Sequence, residues 1–182
     1  MRTALALLVL ISFSVILIAG ETSIPIVHQN AFSVAGIEVR TSNAKEATSG
    51  GVIGKQWQKF FQDGVLEKIP NKLDGNIYAV YSDYASDRNG EYSLTIGAKV
   101  ADGSPAPAGL VVKTVPAGKY AVVTSDKGPV AKVVTAAWQR VWDLEQKKEL
   151  GGTRAYKADF ELYDQRAANP QDAQADIYLG LK

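Results

Sequence analysis

The sequence predicts an α+β domain made of two strand–helix–strand–strand repeats sharing one antiparallel sheet, with the helices on one face. Three observations predict it. Hydrophobic periodicity changes from alternating to helical and back to alternating, in the same order in both halves of the chain. Landmark residues recur at a near-constant offset: Trp57 and Trp138 differ by 81, Tyr81 and Tyr163 by 82, Gly97 and Gly180 by 83. A connector rich in Pro and Gly, Asp102 to Gly109, separates the halves. Repeat one is placed at about 31–101 and repeat two at about 109–182, after a linker over 21–30.

In the first half, Phe32 to Arg40 alternates well enough for a strand, and the polar, Gly-rich stretch Thr41 to Gly51 reads as a loop. Val52, Ile53, Trp57, Phe60, Phe61, Val65 and Leu66 fall near helical spacing, with a break expected at Asp63-Gly64 and a stop at Pro70-Asn71. Ile77 to Tyr84 and Tyr92 to Val100 read as a hairpin across Asp87-Arg88-Asn89-Gly90, where Asn-Gly supplies the positive-φ positions. In the second half, Leu110 to Val115 and Lys119 to Thr124 are strands. A helix runs from Pro129 to about Glu149 with Gly151-Gly152 ending it, and Arg154 to Asp164 and Asp176 to Leu181 are the last strands.

The bulk numbers exclude more than they assign. Of 182 residues 46% are hydrophobic and the formal net charge is +1, so no global field draws the chain to nucleic acid. There is no cysteine and one histidine, His28. Thiolate chemistry is therefore excluded, and no ligand-spaced metal cluster is visible; neither a cofactor nor a metal is expected.

Residues 1–20 have Arg2 as a short positive region, an apolar run from Ala4 to Ala19, and small Ala19-Gly20 before polar Glu21. This is the pattern of a secretory signal peptide, with an uncleaved membrane anchor as the alternative. Either way the domain is expected to be exported, periplasmic or secreted, and to meet a membrane only if the leader stays on.

The residues that could carry chemistry gather in the second copy's central strand. Phe160-Glu161-Leu162-Tyr163 matches Tyr78-Ala79-Val80-Tyr81 of the first copy, with Glu161 standing where the first copy has Ala79. A carboxylate in one half only gives a pseudo-symmetric cleft a polarity. By alternation, Asp159, Glu161 and Tyr163 share one face. Phe160 and Leu162 take the other, read as the side packed under the helix, which leaves Glu161 on the face away from it. A carboxylate among aromatics can balance a cationic ligand stacked on rings, or, if desolvated, serve as a general acid or base. Trp57 and Trp138 read as core residues of the helices. Tyr78, Tyr81, Tyr84 and Tyr92 crowd one hairpin, suiting a ligand wall or ordinary cross-strand pairing equally.

Several of these stretches together resemble the GyrI-like small-molecule-binding family, the effector-binding domain of AraC-type and multidrug-sensing regulators. They are Gly36-Ile37-Glu38-Val39-Arg40-Thr41-Ser42-Asn43, the hairpin Ile77 to Tyr84 and Tyr92 to Val100, the turn Val115-Pro116-Ala117-Gly118-Lys119-Tyr120-Ala121-Val122, and Asp159-Phe160-Glu161-Leu162-Tyr163. The resemblance covers about residues 31–182. It implies paired SHS2-type repeats with a ligand cleft between the halves, an amphipathic aromatic ligand of the kind that is a lipophilic cation in the multidrug-sensing relatives, and Glu161 as its counter-charge. Tyr163, Tyr81, Tyr92 and Trp142 complete the candidate binding residues. A counterpart of the regulators' DNA-binding segment is not expected, and the reading is an exported small-molecule-binding protein, with a protein partner left open. Relatives that hydrolyse cyclopropane-type compounds offer the alternative in which Glu161 is the acid/base with Tyr163 or Tyr81 beside it. A haem-binding family shares the repeats, but His28 lies outside them and Met1 is the only methionine. A protein-interaction module with a closed cleft is the remaining reading.

Overall fold

The structure, a computed structural model, describes residues 23–182, and the leader reading falls outside that range. Among the described residues there are eight strands: β1 (Ile26–Gln29), β2 (Phe32–Ser42), β3 (Ile77–Ser82), β4 (Glu91–Val100), β5 (Val111–Val115), β6 (Gly118–Thr124), β7 (Arg154–Tyr163) and β8 (Asp176–Leu181). They form one antiparallel sheet in the order β1-β6-β8-β7-β3-β4-β2-β5. The helices are α1 (Asn43–Glu46), α2 (Ile53–Gln62), α3 (Val65–Lys68) and α4 (Val130–Lys147).

The strand order is unchanged when each strand is exchanged for its counterpart in the other repeat. The centre of the sheet is the β3–β7 pair, where Ala79 lies opposite Glu161, with Tyr78 opposite Leu162 and Val80 opposite Phe160. The repeat offset also relates position 79 to position 161, so the pseudo-dyad passes through this one pair. The leading strands are exchanged: β5, which opens the second half, pairs with β2 of the first, and β1 pairs with β6 of the second. The linker expected over 21–30 thus contains β1, a four-residue strand too short to show a period.

Local chemistry explains the helix boundaries. Gly64, at φ 55, separates α2 from α3 where the sequence breaks. The stretch read as loop holds α1, whose Glu46 carboxylate accepts the Val52 and Ile53 N–H groups at 3.0 and 3.1 Å. It caps α2, whose own N-cap residue, Val52, has no side-chain acceptor. α4 ends two residues before Glu149, because Lys148 takes the left-handed cap at φ 61 and leaves Gly151-Gly152 to the loop.

Both faces of the sheet are buried. On one face Tyr81, Leu94, Ile96 and Ile37 pack under Phe60 and Val65, and Ala121, Val123, Ile177 and Leu179 pack under Ala137 and Val141. The other face holds Phe32, Val34, Tyr78, Val80, Tyr120 and Phe160, a cluster drawn wholly from strands. Phe32 on β2 and Phe160 on β7 are three strand spacings apart, about 14 Å in a flat sheet. Their ring centroids are 5.2 Å apart, so the sheet curls tightly about its helix-free side. Phe160 therefore belongs to the helix-free face and Glu161 to the face beneath the helices, the reverse of the expected assignment. Alternation separates the two faces but carries no sign when both are apolar.

Candidate functional site

Glu161 is fixed at the middle of β7 by pairing on both sides, with Ala79 across β3 and Ile177 across β8. Its side chain is 2% exposed. Three neutral donors hold the carboxylate. Tyr81 Oη donates to Oε1 at 2.7 Å, Trp138 Nε1 to Oε1 at 2.6 Å, and Tyr163 Oη to Oε2 at 2.6 Å. Among the described residues no salt bridge involves Glu161.

The shell around the acid is itself pseudo-symmetric. Tyr81 and Tyr163 are repeat equivalents, and one hydroxyl reaches each carboxylate oxygen. Trp138 of α4 stands edge-on to Tyr81 with centroids 5.0 Å apart, and Trp57 of α2 stands edge-on to Tyr163 at 5.1 Å. Each repeat's helix thus covers the other repeat's tyrosine. The symmetry fails at the acid, because Ala79 occupies the position that would mirror Glu161.

Burial is the largest influence on Glu161 and pushes its carboxyl upward, against three hydrogen bonds that favour the anion. Tyr81 and Tyr163 are both driven well above the usual phenol value by burial and by the neighbouring carboxylate, so they stay protonated as donors. Trp138 and Tyr163 are half-buried and Tyr81 is buried, which places the tryptophan and Tyr163 between Glu161 and solvent. Two shallow clefts open elsewhere, of about 360 and about 410 Å³, and Glu161 lines neither. The site is closed in this conformation.

Asp159, on the same face of β7 two residues away, is 0% exposed and has the opposite surroundings. It is ion-paired with buried Arg154, accepts Tyr84 Oη at 2.7 Å, and accepts the Gly180 N–H at 2.9 Å where β7 bulges away from β8. Arg154 also reaches Glu145 at 3.3 Å and lies over the Tyr156 ring at 4.2 Å.

The structure brings Glu161, Tyr163 and Tyr81 into direct contact. Tyr92 stands behind Tyr81, with centroids 5.5 Å apart, and its hydroxyl donates to Asn43 Oδ1 at 3.0 Å. Trp142 is not brought to the carboxylate. It packs in the second-half core with Val141 and Leu179, and Trp138, one turn earlier, takes the place above Glu161. Sequence reasoning read Trp138 as core and so missed a direct ligand of the acid. The available signal was its equivalence to Trp57 together with an indole N–H that must find an acceptor when buried. Arg154 carried no such signal, because the bulge that brings it to Asp159 is not periodic, whereas Tyr84, one of the hairpin tyrosines singled out, is brought to Asp159 and not to Glu161.

Comparison with known proteins gives a consistent set of relatives. Residues 25–181 match the model of the family described as Cass2, integron-associated effector binding protein. A putative transcriptional regulator, YobU of Bacillus subtilis, is 34% identical over 160 residues, covering 86% of this chain and 96% of its own. The transcriptional regulator BrlR of Pseudomonas aeruginosa is 35% identical over 158 residues, and the chain spans 54% of its length. Among solved structures, the Vibrio cholerae integron cassette protein VCH_CASS2 superposes with a TM-score of 0.68 at 27% identity, covering 88% of this chain and 97% of its own. SAV2435 bound to tetraphenylphosphonium superposes at 0.71 with 22% identity, covering 88% and 94%, a likeness of fold.

Proposed function

Because the chain belongs to the Cass2 family of effector-binding proteins, a family of small-molecule-binding domains, we propose that its ligand is a lipophilic aromatic cation whose charge is balanced by Glu161. The observation that carries this reading is a carboxylate that is buried, held by three neutral donors and paired with no cation among the described residues. An ionised group in such a place costs several kcal/mol of desolvation unless an opposite charge joins it. The ligand supplies that charge, and the rings of Tyr81, Tyr163 and Trp138 supply surfaces on which a delocalised cation stacks. The tetraphenylphosphonium held by SAV2435 is of this chemical class.

Binding requires Tyr163 or a flanking tryptophan to swing aside, so the closed form is one state of an equilibrium that ligand shifts. Asp159 does not offer a second working carboxylate for hydrolysis, since Arg154 and the Gly180 N–H already hold it. We also propose that residues 1–20 direct the domain out of the cytoplasm, which the mass of the product released by expressing cells tests: retention of those residues contradicts cleavage.

The test is a thermal-shift panel of cationic, neutral and anionic aromatic compounds of matched size on native protein and Glu161→Gln. A ligand that binds only the folded state raises the Tm by mass action. Shifts confined to cations and abolished in the variant support the reading; equal shifts for neutral compounds contradict it.

A further inference from the structure

The shell around Glu161 is symmetric in its rings and asymmetric in its hydrogen bonds, and this asymmetry gives the ligand a direction. Oε1 accepts two donors, Tyr81 and Trp138, whereas Oε2 accepts only Tyr163. A carboxylate oxygen has two lone-pair directions, so Oε1 is filled and Oε2 keeps one acceptor site. Oε2 is the oxygen on the Tyr163 side, and Tyr163 is the residue that Trp57 covers.

The α2 side is also where the repeat leaves an aromatic without work. Trp138 is anchored by its bond to Glu161 and by Arg154 over its ring at 6.0 Å. Its equivalent Trp57 faces a position where the mirror acid is Ala79, which can accept nothing from an indole N–H. Trp57 is half-buried, and Phe61 stacks on it at 5.9 Å with planes 22° apart. Phe61 is 64% exposed, one of three large apolar side chains left so open among the described residues. Trp57 and Phe61 therefore make a continuous aromatic surface running from Tyr163 out to solvent along α2.

We infer that Trp57 and Phe61 are specificity-determining residues that receive the apolar body of the ligand, whose charged centre meets Glu161 Oε2 as Tyr163 yields. The α4 side, with Trp138 locked on Oε1, is the fixed wall, and α2 carries the surface that selects. A cation with an aromatic body gains from both the charge and the α2 surface. A cation of the same charge without such a body gains from Glu161 alone. This inference rests on the counter-charge reading above and adds to it the direction of approach and the residues that select.

The test measures tetraphenylphosphonium and tetramethylammonium binding by calorimetry to native protein, Trp57→Leu, Phe61→Ala and Glu161→Gln. Phe61→Ala removes an exposed ring, so it keeps the test sound should Trp57→Leu fail to fold. The expected result is a tenfold or greater loss of tetraphenylphosphonium affinity in Trp57→Leu, about threefold in Phe61→Ala, and unchanged tetramethylammonium affinity in both. Tetraphenylphosphonium binding that needs Glu161 but is indifferent to Trp57 and Phe61 overturns this inference and leaves the counter-charge reading standing. Equal losses for both cations also overturn it, since Trp57 then acts by holding the carboxylate. No binding of either cation to native protein overturns the counter-charge reading and this inference with it.

Discussion

Glu161 and Asp159 stand two residues apart on the same face of β7, both buried, and only Asp159 is paired with a cation. One strand thus displays a carboxylate whose charge is settled within the fold and another whose charge is not. Neighbours separate their roles: Arg154 and a backbone N–H for Asp159, and two tyrosine hydroxyls and an indole for Glu161.

Replacing Glu161 by Gln stabilises the ligand-free protein at alkaline pH. The Gln oxygen can keep the Tyr81 and Trp138 bonds, and its amide can donate to Tyr163. Because burial raises the carboxyl above its unfolded value, the folded state binds the proton more tightly. The stability this contributes is fully present below the unfolded value and is lost as pH rises through the folded one. The Tm of Glu161→Gln minus that of native protein should therefore be near zero at pH 4 and grow as pH rises. A difference that shrinks with rising pH contradicts the raised value.

Cation binding has the complementary pH dependence. Only the ionised carboxylate attracts the ligand, so affinity should rise about tenfold per pH unit below the folded Glu161 value and level off above it. Titrations across pH 4 to 8 measure this slope. A flat profile in native protein means that Glu161 does not carry the charge.

Trp138→Phe keeps the ring against Tyr81 and removes one of three donors. Hydrogen bonds to charged groups contribute about 1.5–3 kcal/mol. The loss disfavours the anion, so the midpoint of the binding profile should move to higher pH. An unmoved midpoint would show that the indole N–H is only structural.

Arg154→Met tests the contrast from the other side. It leaves Asp159 buried without its cation, a change that costs about 3–5 kcal/mol. Urea unfolding should show that loss, whereas Glu161→Gln shows none. Similar losses in both variants would erase the distinction between the two acids.

Much of this was legible in the sequence. The 81 to 83 offsets mark the duplication because a repeat preserves spacing even where residues diverge, and they locate Tyr81 and Tyr163 as equivalents. Glu161 stood out because the matching stretch of the first copy has Ala79 in its place. The side of the sheet on which it lies was not legible, because Phe160 is as apolar as any residue under a helix and is buried by the curl of the sheet instead. The choice of Trp138 over Trp142 was hidden as well. Both share one helix face a turn apart, and only the placement of α4 on the sheet decides which indole meets the carboxylate. The Arg154–Asp159 pair needs the β7 bulge, a break in the pattern on which sequence reading depends.

The most direct measurement is calorimetric titration of tetraphenylphosphonium into native protein and Glu161→Gln at pH 8, with the folded state of both checked by circular dichroism. The account predicts binding to native protein and a loss of about two orders of magnitude in the variant, the scale of truncating one partner of a buried charge pair. Equal affinity for the two proteins, or no binding to either, would contradict it.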